Sequence, residues 1–135
     1  MARSDNAANA DTVETPAENL DGNTEMFAPY TRAGDFVFVS GQASVDENGS
    51  IVPGTFAEEM CRSIENVRRV LAEAGLGLSD VVKVNAFVHN PADVPEYNRI
   101  YPRYFLAPRP ARTTIANCLN DHVKFEIDVI AYAGN

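Results

Sequence analysis

Residues 122–132 read His122-Val123-Lys124-Phe125-Glu126-Ile127-Asp128-Val129-Ile130-Ala131-Tyr132, and their alternation decides the fold. Val123, Phe125, Ile127, Val129 and Ala131 fall on one side of an extended chain; Lys124, Glu126, Asp128, Ile130 and Tyr132 fall on the other. A period of two is that of a β-strand. A wholly apolar side must be covered, so the strand predicts a sheet with helices layered over one face. The preceding run, Arg112 to Asn117, puts Arg112, Thr114 and Ala116 on a shared side. With Cys118-Leu119-Asn120 as a three-residue loop, the two strands are expected to form a hairpin. Asn117 then pairs with Asp121, Arg112 stands opposite Glu126 and Thr114 opposite Lys124. Directly opposed side chains have Cβ atoms about 4.5–5.5 Å apart, so Arg112 and Glu126 are expected to meet. Their spacing leaves two readings open. One is a cross-strand salt bridge, worth at most about 1 kcal/mol if exposed. The other is a guanidinium fork that takes a substrate carboxylate, with Glu126 holding or activating water beside it.

Upstream of this hairpin, strand and helix signals alternate. Asp35-Phe36-Val37-Phe38-Val39 before Ser40-Gly41 has the pattern of a buried strand. A turn at Asp46-Glu47-Asn48-Gly49 precedes a short strand at Ser50-Ile51-Val52. Thr55 and Glu58 form a capping box, and Phe56, Met60, Ile64, Val67, Leu71 and Ala74 make one apolar stripe that Gly75 terminates. Val81 to Val88 returns to strand, with Val82, Val84, Ala86 and Val88 alternating against Lys83 and Asn85. Asp93 and Glu96 predict a second cap, ahead of the aromatic stripe Tyr97, Ile100, Tyr101, Tyr104 and Phe105. Pro102 within that stripe predicts a kink or an early end. The fold class is therefore α+β, in the order β-β-α-β-α-β-β, a mixed sheet with two helices on one face.

The chain has 135 residues, enough for one compact domain. Lys and Arg number 11 against 19 Asp and Glu, a net charge of -8. That balance argues against nucleic acid, which needs a cationic face, and against docking on anionic lipid. No apolar run approaches the roughly 18 residues of a membrane span, and no apolar N-terminal stretch resembles a signal peptide. Residues 1–24 are expected to be an acidic, flexible tail ahead of a single domain over 25–135. Arg3 there faces Asp5, Asp11, Glu14, Glu18 and Asp21, and Val13 and Leu20 are the only large apolar side chains beyond Met1. Cys61 and Cys118 make no disulfide framework, and a reducing cytoplasmic location is the expectation.

Several of these stretches are together similar to one family. Phe36-Val37-Phe38-Val39-Ser40-Gly41-Gln42, Asn98-Arg99-Ile100-Tyr101, Pro110-Ala111-Arg112-Thr113-Thr114 and Phe125-Glu126-Ile127 resemble the Rid (YjgF) proteins over about residues 27–133. The resemblance implies a chorismate-mutase-like fold and a homotrimer, with the sheets facing inward and sites between subunits. It implies hydrolytic deamination of 2-aminoacrylate and related 2-imino or 2-enamino acids to 2-keto acids and ammonia, with no metal and no cofactor. Arg112 would bind the substrate carboxylate and Glu126 would orient the attacking water. Ser40, Gly41, Asn98 and Thr114 would line the pocket, together with an aromatic residue. The motif Pro29-Tyr30 makes that residue Tyr30, whereas an ungapped count back from Gly34 makes it Phe27. Thr114 stands where many members carry Cys, and the loop from Arg112 to Glu126 is shorter than usual. Ala33-Gly34-Asp35-Phe36-Val37 and Arg112-Thr113-Thr114 are also similar to the 2-aminomuconate deaminase branch, which implies a longer substrate. A cavity near Pro108–Pro110 would favour that alternative. A non-catalytic trimer that binds small acids, or acts as a chaperone, is the remaining alternative; turnover separates it from the enzyme.

Other candidates lack partners in the sequence. His89 and His122 have no metal-ligand spacing around them, and Asp121-His122 has no nucleophile. Cys61 is expected to be partly buried and inert, and Cys118 exposed with no neighbouring cation to activate it.

Overall fold

In the computed structural model, Val13, Glu14 and residues 26–134 are described. The elements are β1 (Val13–Glu14), β2 (Tyr30–Ala33), β3 (Phe36–Gln42), α1 (Phe56–Glu73), β4 (Val81–Val88), α2 (Val94–Tyr104), β5 (Ala111–Ala116) and β6 (Phe125–Tyr132). They build one six-stranded sheet in the order β1-β2-β3-β6-β4-β5. All pairs are antiparallel except β4–β5, which is parallel. The expected α+β architecture holds. The acidic tail lies outside the described residues, apart from Val13 and Glu14, whose backbone pairs with Ala33 and Arg32.

The alternation in the last strand decides the core as expected. Phe125, Ile127, Val129 and Ala131 are buried in one cluster with the stripe of α1 and with Tyr97, Ile100, Tyr101 and Phe105 around α2. The Thr55–Glu58 capping box forms, and Gly75 takes φ +79 just past the helix, a conformation that glycine adopts without penalty. Both helices cover the same side of the sheet. The opposite side is bare, with Phe36 41%, Phe38 43% and Ile115 48% exposed. Phe36 and Tyr132 meet there at 5.3 Å between ring centroids.

The hairpin expected between the last two strands does not form. β5 runs parallel to β4, and β6 lies between β3 and β4. Asn117 therefore does not pair with Asp121, Thr114 does not face Lys124, and Arg112 does not face Glu126. Asn117 instead turns the chain at φ +65. Strand β6 begins at Phe125, later than the pattern implied. Lys124 leaves the polar face and reaches over to α1, where its Nζ lies 3.3 Å from Glu59 Oε2. Three smaller expectations also change. Tyr30–Ala33 supplies the strand beside β3, whereas Ser50–Val52 contributes only a single bridge, Val45 to Ile51. A register shift between Val81 and Lys83 turns Val82 outward, 43% exposed. Asp93 makes no side-chain cap; Asn90 caps the preceding turn by accepting from the Ala92 N–H. Helix α2 ends at Tyr104, two residues after Pro102.

Candidate active site

The residues singled out in the sequence gather in two places. The first is an edge formed by β5 and α2. Arg112 pairs with Val84 and so projects on the helix-covered side, where it is exposed at the sheet margin. Its guanidinium carbon lies 4.8 Å from the ring centroid of Tyr97 and 4.7 Å from that of Tyr101. Tyr97 and Tyr101 are four apart in α2, which places both rings on one side of the helix. No carboxylate among the described residues forms an ion pair with Arg112. Burial pushes both phenols above their ordinary value of 10.0. At Tyr97 this outweighs the Thr114 hydrogen bond and the Arg112 charge; at Tyr101 the neighbouring Tyr97 adds to it. Both therefore stay neutral near pH 7, and no phenolate quenches the guanidinium.

Thr114 sits two residues along on the same side, with its hydroxyl 2.6 Å from the Tyr97 hydroxyl. That hydroxyl is engaged by α2, so Thr114 supports the Arg112 environment through Tyr97. Asn98 follows Tyr97 in α2 and is exposed.

The second cluster forms where β3 meets β6. The register slips between Val39 and Gln42, so Ser40 and Gly41 together stand against Asp128. A methyl group built on Gly41 would overlap the Glu126 carboxylate, so the missing side chain is what gives Glu126 its place. The Ser40 N–H donates to Pro29 O at 2.9 Å and its hydroxyl to Ala28 O at 2.5 Å, which fixes the approach to β2. Tyr30, opposite Val39, packs against the core, while Phe27 is 68% exposed. Glu126 pairs with Phe87 and projects on the bare side of the sheet. Its carboxyl is held above the ordinary 4.5 by burial and then by the Asp128 charge. The expected meeting of Glu126 with Arg112 is thus corrected within one protomer, since the guanidinium lies on the other side of the sheet.

Strands are about 4.8 Å apart and rise about 3.3 Å per residue. Arg112 aligns with Val84 and Val129, whereas Glu126 aligns with Phe87 and Ile115. Two strands and three residues thus separate Arg112 from Glu126, roughly 14 Å between their Cα atoms, with the sheet itself in between. One chain cannot close a small substrate between them.

A family model described as Endoribonuclease L-PSP matches residues 22–133. The chain belongs to this family, the Rid/YjgF group. Among curated relatives, a RutC family protein of Pyrococcus abyssi is 40% identical over 109 residues, covering 77% of this chain and 86% of its own. A 2-iminobutanoate/2-iminopropanoate deaminase of Dermatophagoides farinae is 34% identical over 111 residues, covering 78% and 87%. The crystal structure of RidA from an Antarctic Psychrobacter superposes with a TM-score of 0.71 at 28% identity, covering 78% of this chain and 87% of that one. The family thus includes a relative named for the deamination of 2-imino acids.

Tyr97 and Tyr101 of this Rid protein pack in the core, and the aromatic stripe by itself does not mark them as neighbours of Arg112. The available signal was their spacing of four on a helix that the Arg112 strand had to pass. Among the described residues no group of three His, Cys, Asp or Glu side chains is placed to hold a metal. His89 Nε2 instead pairs with Asp121 Oδ1 at 3.3 Å. Cys61 is half-buried and Cys118 exposed. No helix among the described residues is long and apolar enough to cross a membrane.

Proposed function

We propose that this protein hydrolyses reactive 2-imino and 2-enamino acids to 2-keto acids and ammonia, in sites completed by a second copy of the chain. The observation that carries the proposal is Arg112: an exposed guanidinium, seated on two neutral rings, with no carboxylate among the described residues paired to it. Its planar donors suit a carboxylate held bidentately, a charge-assisted contact worth about 1.5–3 kcal/mol net. Glu126 supplies the second requirement. Its carboxylate can take a proton from water and, once protonated, return it. In the enamine, protonation at C3 gives the iminium. Water, losing a proton to Glu126, then adds to C2. Glu126 returns that proton to nitrogen, and ammonia departs with the C2–N bonding pair. The hydroxyl proton passes to solvent as the carbonyl closes, replacing the proton that solvent gave to C3. No step calls for a cofactor, because the iminium is already electrophilic and needs mainly to be positioned.

Because Arg112 and Glu126 occupy opposite sides of one sheet, the proposal requires assembly. The bare face, with Phe36, Phe38, Ile115 and Ile130, is apolar enough to be an interface, and a closed trimer would bury it in every copy. Arg112 and Asn98 of one copy would then close over Ser40, Gly41, Glu126 and the Phe27–Tyr30 segment of the next. The ligand is a small acid rather than nucleic acid, in keeping with the net charge of -8.

A longer substrate such as 2-aminomuconate is favoured by one observation. A cavity of about 590 Å³ lies beside Pro108 and Pro110, walled by Arg103, Tyr104, Phe105 and Leu106. Arg112 does not line it, and the shorter acids therefore come first.

The test is turnover. 2-Aminoacrylate generated in situ by a dehydratase should yield pyruvate faster with the protein than without it, and Arg112→Ala should abolish the gain. No acceleration with this or with larger imines would leave a binding protein. Sedimentation should give a trimer, and a monomer at micromolar concentration would sink the shared site.

A further inference from the structure

We infer that Tyr97 and Tyr101 are positioning residues that hold the Arg112 guanidinium in the notch between their rings and so aim it at the substrate carboxylate; this rests on the reading of Arg112 given above. The three groups form a triangle. The guanidinium carbon is 4.8 and 4.7 Å from the two ring centroids, and the rings are themselves 6.0 Å apart and inclined at 61°. The cation thus sits over the notch of a tyrosine pair, within the distance at which a ring quadrupole attracts it.

An arginine on an exposed strand with no ion-pair partner among the described residues is long and free to rotate, which is a poor start for bidentate recognition. The tyrosines are fixed from below. Tyr97 is fully buried, its hydroxyl meets Thr114 at 2.6 Å, and its ring lies 5.9 Å from Phe125. Tyr101 stacks on Phe105 at 4.8 Å and 28°. The Tyr101 hydroxyl is buried and has no hydrogen-bond partner, so at this position the ring is the working part. Thr114 acquires a role by the same geometry: it sets the Tyr97 ring from the strand that carries Arg112.

The test replaces Tyr101 in the full-length protein with phenylalanine and then with mono-, di- and trifluorophenylalanine, which keep the shape and progressively weaken the ring face. KM for the imino acid should rise stepwise along the series while kcat stays nearly constant. Tyr101→Leu should raise KM by roughly 3- to 30-fold, and Tyr101→Phe should retain the wild-type KM. In parallel, the Arg112 Nε–Hε NMR signal, assigned by its loss in Arg112→Lys, should be displaced by the ring currents and should move in Tyr101→Leu. A flat KM series, or an Arg112 signal indifferent to Tyr101→Leu, would overturn the inference. Should the wild type turn nothing over, the NMR signal still decides the clamp, and only the assigned reaction falls.

Discussion

Arg112 and Glu126 project from opposite sides of the same sheet, one over the helix layer and the other onto the bare face. The edge strand β5 carries the cation, and the central strand β6 carries the carboxylate. Each is separately prepared: Arg112 by neutral aromatic rings, Glu126 by a gap that only glycine leaves open. In the proposed assembly, two half-sites on one protomer would become whole sites when copies close in a ring.

Subunit mixing tests that relationship directly. Arg112→Ala and Glu126→Gln should each be inactive alone. Unfolded and refolded together in equal amounts, they place an intact Arg112 against an intact Glu126 in about a quarter of the sites of a randomly mixed trimer. Recovery of roughly a quarter of wild-type turnover is the expected result. No recovery from a properly mixed trimer would mean that both residues must come from one chain.

Gly41→Ala should strike catalysis without striking the fold. Its methyl group meets only the Glu126 side chain, so the carboxylate must swing away while the β3–β6 ladder stays paired. Turnover is expected to fall by an order of magnitude or more, since displacement by about 1 Å can cost roughly 100-fold. Circular dichroism and the melting midpoint should hardly change. A cycle with Glu126→Ala checks the cause, because in that background Gly41→Ala should add almost nothing.

How much of this the sequence discloses depends on the range of the contact. Alternation in β6 and the α1 stripe are local patterns, and both give buried faces as read. Strand pairing is not local. Arg112–Asn117 and Phe125–Tyr132 look like a hairpin because a short loop favours antiparallel neighbours, yet β5 crosses beyond β4 to pair in parallel. Pairing of β6 between β3 and β4 gives its apolar face two neighbours, which no turn signal records. The family motif therefore singles out Arg112 and Glu126 as candidates, while the hairpin register puts them wrongly side by side. Glu59 is a comparable case. An acid in the first helical turn that no local pattern marks as buried, it is 1% exposed and holds α1 to the loop before β6.

That Glu59 contact gives a stability prediction. Its carboxylate accepts the N–H groups of Gly54 at 3.2 Å and Lys124 at 3.1 Å, and lies 3.3 Å from Lys124 Nζ. Glu59→Ala strands two backbone donors and should destabilise by about 2–4 kcal/mol. Glu59→Gln keeps an acceptor and should lose less. Lys124→Ala should lose least, because the ammonium is partly solvated and the backbone bonds survive. Denaturant melts of the three variants should rank in that order; equal losses would show that the ion pair, rather than the backbone bonds, dominates.

The pH dependence of Glu126 follows from its surroundings. Burial, then Asp128, hold its carboxyl above 4.5 in the protomer, so the folded chain binds this proton more tightly than the unfolded chain does. The resulting stabilisation is present at low pH and is lost as pH rises from the unfolded value through the folded one. Glu126→Gln removes the charged form that carries this penalty. In a protomer kept apart by Phe38→Asp on the bare face, adding Glu126→Gln should raise the melting midpoint at pH 7. The gain should vanish as pH falls below the ordinary 4.5. In the assembled protein the partner's guanidinium would favour the carboxylate and draw the Glu126 pKa down. An NMR titration of the Glu126 carboxyl should therefore give a higher value for the separated protomer than for the trimer. An equal value in both would place Arg112 of the neighbouring copy out of reach of Glu126.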